Sequence, residues 1–381
     1  MTPKQRLSML PVTALPFASS LLAILAAFIV GGLFLELRGK DALGAYQLLF
    51  ERGLGTSYGL TETLIKMAPM LIVSAGLVIA LKAGVWNIGI DGQFLIGALC
   101  AGVVAPELAG DIPNGLMFLV AGIAGFIGGL VWAIVPGLLK VRWNLNEIIT
   151  TLMMNYVALN VTSWLVKGPV KDPNVVPPQT KLIPRENRLP DIPGLDVHIG
   201  LIVGLVVVVL VAVLFRSTVP GYMLSVLGMN KRAAIHAGLP VGRLTMLALL
   251  LSGGFAGLAG ANDVLSVKGL FQGNWNPAYG FTAFALVYLA RLKAFWIIPF
   301  AFFFSFLVLG GEMMSRPMDI PTYYVEVLEG LMLLFFAGAV FFERHFIARA
   351  VRRRASDLSP ATAADSLAEP ESSPLATEAG R

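Results

Sequence analysis

The chain has 381 residues, of which 56% are hydrophobic and only 13% are charged, and its mean hydropathy is +0.77. Soluble domains carry roughly a quarter charged residues, so this composition excludes an ordinary soluble enzyme and predicts an all-α polytopic membrane protein. The net charge of +5 indicates no nucleic-acid partner, because the cations follow membrane topology. Cys100 is the single cysteine, which excludes an internal disulfide. The three histidines are scattered and indicate no metal site, and no P-loop motif is present.

About ten apolar runs are predicted to cross the membrane. They are 17–37, 60–81, 93–105, 115–139, 147–166, 197–215, 244–261, 278–290, 295–314 and 324–342. The first run is long for a signal peptide and lacks a clear cleavage site, so we expect a retained helix. The runs 93–105 and 278–290 are short, and short or broken helices are tolerated where they line a cavity or lie inside protein.

Lysines and arginines predict that both chain termini are cytoplasmic. Every turn expected inside carries at least one cation, whereas the short outside turn with Glu107 and Asp111 carries none, and this bias sets orientation in short loops. The predicted parts are a cytoplasmic N-terminus (1–16), a transmembrane domain (17–345) with an external Pro-rich loop (167–196) and a cytoplasmic loop (216–243), and a cytoplasmic tail (346–381) that is first basic and then disordered.

A polar, glycine-rich stretch, 83–93, lies beside the second span and reads AGVWNIGIDGQ. Its polar side chains, Asn87, Asp91 and Gln93, are costly in lipid unless they face a cavity, a partner or water. Two interpretations stay open. The stretch is either a re-entrant or gating segment on a substrate pathway, or a polar hairpin that caps two helix ends.

The span 147–166 carries a second set of polar side chains. Thr151 and Asn155 are four residues apart and therefore share one helix face. This stripe could line a pathway for a hydrogen-bonding solute, or it could hold neighbouring helices together through hydrogen bonds. Glu147 is at the start of this helix, where its negative charge interacts favourably with the helix dipole.

Two further patterns concern helix packing and charge. Small residues recur every fourth position at Ala121, Gly125 and Gly129, and again at Gly253, Gly257 and Ala261. This spacing predicts close approach between helix backbones. Glu62 and Lys66 are four apart and are expected to pair. Glu329 is expected to face water at the outer end of the last span.

The cytoplasmic loop 216–243 contains a short predicted helix at 230–236, followed by Gly238 and Pro240. A structured, basic, glycine-terminated segment suits a membrane protein that receives a displacement from a soluble motor. An ordinary positively charged loop is the alternative. The residues predicted to couple the chain to such a motor are Asn230, Lys231, Arg232, Ala234 and Gly238.

Three motifs together carry a family resemblance. They read GVWNIGIDGQFLIGA, LNEIITTLMMNYVA, and GMNKRAAIHAGLPVGRL leading into LSGGFAGLAGA. Over roughly 15–345 the chain resembles permease subunits of ABC importers in the branched-chain amino acid and simple-sugar superfamily. It is most similar to the longer permease of nucleoside systems served by basic-membrane-protein lipoproteins. Trp86 and Asp91 stand where that family often has Phe and Glu, and both keep the chemical type.

The resemblance implies a type II importer fold in the bacterial inner membrane. It implies three partners besides membrane lipid: a cytoplasmic ABC ATPase, a second, shorter permease, and an extracytoplasmic solute-binding lipoprotein. It also implies that the segment around 230–238 docks into the ATPase. The chain itself is expected to be no enzyme and to need no cofactor, since ATP is hydrolysed by the partner.

The transported solute is expected to be neutral, ring-containing and hydrogen-bonding. The residues of the expected pathway are Asn87, Asp91, Gln93, Thr151 and Asn155. They offer mainly amides and hydroxyls, whereas a phosphorylated solute would require Arg or Lys. The resemblance favours purine nucleosides, followed by simple sugars and riboflavin-like compounds. An ion-coupled secondary transporter or a membrane scaffold are the alternatives from other classes.

Overall fold

The computed structural model describes residues 15–341. The expected cytoplasmic N-terminus up to residue 14, the basic cluster at 349–354 and the tail lie outside the described residues. Within that part the chain is helical, with isolated bridges as its only β-type pairing, and the all-α membrane fold is confirmed. The α-helices are α1 (Leu15–Leu37), α2 (Ala42–Leu54), α3 (Ser57–Lys82), α4 (Ile90–Leu108), α5 (Asn114–Trp143), α6 (Glu147–Lys167), α7 (Gly200–Ser217), α8 (Val219–Met229), α9 (Lys231–His236), α10 (Val241–Asp263), α11 (Tyr279–Leu289), α12 (Ile297–Met318) and α13 (Tyr324–Phe341).

Between residues 15 and 341, nine helices are long and apolar enough to cross a membrane. They match nine of the ten predicted spans. The tenth, 278–290, is the 11-residue helix α11, as short as predicted. The prediction that 93–105 is short is wrong, because α4 has 19 residues. Asp91 and Glu107 lie inside the two ends of α4. Because both are charged, a span predicted from apolar residues alone stops short of them.

Two helices, α2 and α8, lie in segments between the predicted spans. Helix α2 begins where the Asp41 carboxylate accepts a hydrogen bond from Gly44 N at 2.9 Å, and it buries Leu49. Helix α8 begins at Thr218, whose hydroxyl accepts from Gly221 N at 3.2 Å. Both helices are too short to span a bilayer. Their capping residues are the signal that could have revealed them.

The described chain forms two compact units. The larger comprises residues 27–333, and α3 lies at its centre with every residue from 67 to 81 buried. Helix α3 packs against α7, α10, α11 and α12. A helix that is apolar on every side belongs inside a bundle. The smaller unit comprises 1–26 and 334–381, of which the structure describes the first part of α1 and the last part of α13.

The two stripes of small residues bring α5 and α10 into close contact. A methyl group added to Gly125 would lie 2.6 Å from the Ala261 Cβ atom and 3.0 Å from the Gly257 carbonyl oxygen. Gly97 of α4 approaches Gly257 as well, so three helix backbones converge there. The interpretation of these stripes as packing faces is confirmed.

The Pro-rich segment between α6 and α7 is irregular and mostly extended, with one 3-10 turn at Arg185–Asn187. Its backbone is held against the segment that precedes α11. Thr180 N donates to the Phe271 carbonyl at 2.9 Å, and Ile183 N donates to the Gly269 carbonyl at 2.7 Å. Proline favours this extended conformation and cannot continue a helix.

Candidate translocation site and coupling segment

The backbone is broken at 83–89, between α3 and α4. This break lies deep in the bundle, because the Asn87 amide donates to the Ser252 hydroxyl at 3.0 Å. Ser252 is eleven residues beyond Val241, the start of α10, which places it roughly 16 Å along that helix. Backbone groups at such a buried position need hydrogen-bond partners from elsewhere in the protein. The helices on either side, α3 and α4, are each long and apolar enough to cross a membrane, so the break fits a re-entrant segment and equally a polar hairpin that caps two helix ends.

Side chains of α6 satisfy the backbone groups that the break leaves open. Ile88 N donates to the Thr151 hydroxyl at 3.1 Å, and Gly92 N donates to the Asn155 carbonyl oxygen at 2.8 Å. The Asn155 amide donates in return to the Ile88 carbonyl at 2.7 Å. These are groups at the start of a helix that have no partner within the helix itself. The predicted stripe on α6 therefore holds the broken segment in place.

Asn87 and Gln93 form a closed pair of side chains inside the break. The Asn87 Nδ2 donates to Gln93 Oε1 at 2.8 Å, and Gln93 Nε2 donates to Asn87 Oδ1 at 3.2 Å. Asn87 Oδ1 also accepts from Gly89 N at 3.1 Å. Both side chains are almost fully buried. Because their polar atoms are bonded to each other, the pair forms a fixed framework at this depth.

Asp91 links the start of α4 to the start of α11. Its Oδ1 atom accepts from Gly280 N at 2.8 Å, where the positive end of the α11 dipole favours a carboxylate. A methyl group on Gly280 would lie 2.8 Å from the same oxygen, so only glycine permits this contact. The five residues predicted for the pathway thus lie together around one break, and four of them share one hydrogen-bonded network.

A separate polar cavity of about 250 Å³ lies at the C-terminal end of α10. Its walls are formed by charged and aromatic side chains with a few apolar ones. They are Glu62, Ile65, Lys66, Asp263, Val267, Lys268, Trp275, Pro277, Tyr279, Val308 and Glu312. No local sequence pattern marks this site, because its residues come from four separate segments. Buried Asp263, at the end of a small-residue helix, is the signal that could have drawn attention to it.

Two expectations about charged groups are wrong. Lys66 pairs with Glu312 of α12 at 3.0 Å and not with Glu62. The carboxylate comes from the adjacent helix α12, and the periodicity of α3 alone cannot predict a partner on another helix. Glu329 does not face water, because it is buried and accepts a hydrogen bond from the Thr282 hydroxyl at 2.8 Å. Helix α11 covers this face of α13, and a buried acid needs such a partner.

The segment after α8 forms a short, well-capped helix, as predicted. The Asn230 side-chain oxygen accepts from Ala233 N at 3.1 Å at the start of α9. At its end, Leu239 N donates to the Ala234 carbonyl at 3.0 Å, and Gly238 adopts φ +73°. Left-handed glycine is the usual end of a helix. Local hydrogen bonds at both ends therefore fix the shape of this segment.

The predicted coupling residues divide between the surface and the interior. Lys231 and Arg232 are exposed, as is Gly238, whereas Ala234 is fully buried and supports α9 from inside. Two apolar side chains outside the predicted set, Met229 and Ile235, are also exposed, at 78% and 56%. Cations beside exposed apolar groups form a surface suited to a protein partner.

The family is decided by comparison with known proteins. The model of the family described as "branched-chain amino acid transport system / permease component" matches residues 59–337, well over half of the chain. The chain belongs to this family. The resemblance expected from the three motifs is confirmed.

Three relatives in particular resemble the permease along most of their length. A glucose ABC transporter permease protein of Haloferax volcanii is 32% identical, over 92% of this chain and 94% of the relative. A guanosine ABC transporter permease protein of Bacillus subtilis is 29% identical, over 84% and 92%. A nucleoside ABC transporter permease protein of Lactococcus lactis is 29% identical, over 83% and 89%.

These relatives place the permease among the membrane subunits of ABC transporters, which are not enzymes themselves. An ABC system implies an ATPase and a binding protein as partners. Membership of this family rules against the two alternative functions, an ion-coupled secondary transporter and a membrane scaffold. It also gives the permease a multi-pass membrane location.

Proposed function

We propose that the permease is the transmembrane subunit of an ATP-driven importer in the bacterial cytoplasmic membrane, with both termini in the cytoplasm. It works with a cytoplasmic ABC ATPase, a second, shorter permease and an extracytoplasmic solute-binding lipoprotein. The solute is a neutral, hydrogen-bonding ring compound, and purine nucleosides are the favoured class.

Helix α9 is the observation that carries the ATP-driven mechanism. A helix of six residues is held at both ends by hydrogen bonds and presents Lys231, Arg232 and Ile235 to solvent. A cleft on an ATPase with carboxylates and an apolar floor would complement this surface. Because α9 follows α8 with only Asn230 between them, a displacement of α9 is passed directly to the bundle.

The broken segment supports a neutral solute. The side chains that hold it, those of Asn87, Gln93, Thr151 and Asn155, are uncharged amides and hydroxyls, whereas a path for a phosphorylated solute would need Arg or Lys. The guanosine and nucleoside relatives favour nucleosides. The glucose relative, at 32% identity, makes simple sugars the second candidate.

Uptake of radiolabelled solutes separates the two candidates. Cells that lack the permease should lose uptake of guanosine, adenosine and inosine and keep uptake of glucose. The plasmid-borne gene should restore nucleoside uptake. Unchanged nucleoside uptake with lost glucose uptake would replace nucleosides by sugars and leave the importer in place, whereas unchanged uptake of both would refute the importer proposal.

Thiol labelling tests the proposed orientation. In a Cys100→Ser background, Val176→Cys in the Pro-rich segment should react with an impermeant thiol reagent in intact cells, since this side chain is 91% exposed. Lys231→Cys in α9 should react only after the cells are opened. The reverse labelling pattern would invert the proposed topology.

A further inference from the structure

We propose that the polar cavity at the end of α10, here called the Asp263 cavity, binds the transported solute through paired hydrogen-bond donors. The donors are adjacent hydroxyls of a sugar or ribose, or the adjacent N–H groups on a purine edge. This inference rests on the proposed function, because it assumes that the permease moves a neutral ring compound. It adds the place where the permease itself contacts that compound.

Asp263 is the central observation. Its side chain lines the cavity and is only 7% exposed, yet its carboxylate accepts no hydrogen bond from any residue between 15 and 341. Ser266 donates to the backbone carbonyl of Asp263, at 3.4 Å, and not to the carboxylate. Buried polar groups almost always have a partner. Two carboxylate oxygens with free acceptor sites match two adjacent donors on a ligand.

The cations of the cavity leave that carboxylate available. Lys66 is bonded to Glu312 at 3.0 Å, and the Lys268 ammonium lies 5.3 Å from the Trp275 ring centroid, in a cation–π contact. Both interact with Asp263 only at longer range, through their charge. With three carboxylates against two ammonium groups on its walls, the cavity disfavours an anionic solute. No group of three or more acidic, histidine or cysteine residues between 15 and 341 could hold a metal ion.

Aromatic side chains form part of the cavity wall. Trp275 and Tyr279 line the cavity, and Phe94 packs against both, with ring centroids 5.8 and 5.5 Å away. Flat aromatic surfaces favour ring solutes, since bases and other ring systems stack on them. The volume of about 250 Å³ is just below the roughly 300–1,000 Å³ of drug-sized sites, which suits one small ring compound.

The backbone around the cavity is irregular in ways that are typical of functional sites. Helix α10 changes to a π-helix, Val264–Lys268, directly after Asp263, and such short π segments are frequent at functional sites. Asn274 and Ala278 have φ of +64° and +54°, and alanine rarely adopts this conformation. The cavity wall is therefore held in an uncommon backbone geometry where a regular helix would be the simpler structure.

The cavity connects to the broken segment through one residue. Phe94 follows Gln93, whose amide is bonded to Asn87, and it contacts Tyr279 on the cavity wall. Phe94 and Tyr279 thus make the Asp263 cavity and the polar network direct neighbours in the bundle.

Ligand protection tests the cavity without altering Asp263. Val308→Cys, in a Cys100→Ser background, places a thiol on the cavity wall of the complete complex in proteoliposomes. Guanosine or glucose at millimolar concentration should slow its reaction with an impermeant thiol reagent by about threefold or more. If adenosine protects as well as guanosine but 2′,3′-dideoxyguanosine does not, the ribose hydroxyls are the donors. If guanosine protects and adenosine does not, the purine edge supplies them, and protection by glucose alone indicates a sugar.

A charge-neutralising variant provides the second arm. Asp263→Asn should raise the KM for uptake about tenfold, because hydrogen bonds to a charged acceptor are lost, and should abolish protection of the Val308→Cys thiol. Asp111→Asn, the same change at an exposed turn, should have no effect. If the Val308→Cys permease takes up solute at the wild-type rate but none of these solutes protects its thiol, the cavity proposal is wrong and the proposed importer function stands. Protection without uptake would support the cavity and refute the importer, and the absence of both would refute both.

Discussion

Replacing Asn155 by leucine separates a supporting role from a solute contact. The Asn155 side chain makes two hydrogen bonds to the broken segment, with Gly92 N at 2.8 Å and the Ile88 carbonyl at 2.7 Å. Leucine has a similar size and leaves both backbone groups without a partner. Each unsatisfied buried group costs about 1–3 kcal/mol, so Asn155→Leu should destabilise the permease by roughly 2–6 kcal/mol.

The control is an asparagine-to-leucine change at an exposed position of the same helix. Asn160 is exposed and bonds only to the Tyr156 carbonyl of its own helix, so Asn160→Leu should leave stability unchanged. The assay is the apparent melting temperature of detergent-purified permease, measured together with uptake. We expect Asn155→Leu to lower the melting temperature by roughly 5 °C or more and to abolish uptake. A variant that loses uptake but melts like the wild type would show that Asn155 acts on the solute, and the supporting role inferred from these hydrogen bonds would be wrong.

Three further outcomes follow from the geometry. Ile235→Glu places a charge on the apolar part of the α9 surface and should reduce solute-stimulated ATP hydrolysis about tenfold at an unchanged membrane level; a normal rate would remove α9 from coupling. Gly125→Leu should prevent purification of folded permease, since a Cβ atom there already lies 2.6 Å from Ala261 Cβ, whereas Gly115→Leu, with open space around it, should be tolerated. His198 precedes α7, and its burial lowers its pKa to about 4. As the pH falls below about 6.5, the histidine of the unfolded chain takes up a proton before that of the folded chain does. The contribution of His198 to the free energy of unfolding should therefore be full above pH 6.5 and should fall by up to about 3 kcal/mol towards pH 4. His198→Asn should flatten that dependence in a melting series, and an unchanged slope would assign it to other groups.

The site combines a rigid framework with an open cavity. The network around Asn87 and Gln93 has its polar atoms bonded internally, while the carboxylate of Asp263 has acceptor sites free. These two conditions suit different tasks, since a bonded network preserves a backbone break and a free acceptor binds a ligand. The contact between Phe94 and Tyr279 makes the network and the cavity neighbours in the bundle.

Local sequence determined the features whose physical cause lies within a few residues. Long apolar runs predicted the membrane helices, because the bilayer requires about 20 apolar residues in a row. Asn230 and Gly238 predicted the ends of α9, since helix caps depend on the adjacent backbone alone. The small-residue stripes predicted two faces of close helix packing, because the helix repeat places every fourth residue on one face; the structure showed that α5 and α10 use these faces against each other.

Tertiary structure alone decided which polar groups meet across the bundle. Lys66 pairs with Glu312, 246 residues away, although Glu62 is nearer in sequence. Glu329 is buried because α11 covers it with Thr282, and Asp263 lines a cavity because four separate segments converge there. Hydropathy and helix periodicity describe one helix at a time. The partner of a buried polar group is chosen by the neighbouring helix that supplies a hydrogen bond at the same depth, and that depends on how the helices pack.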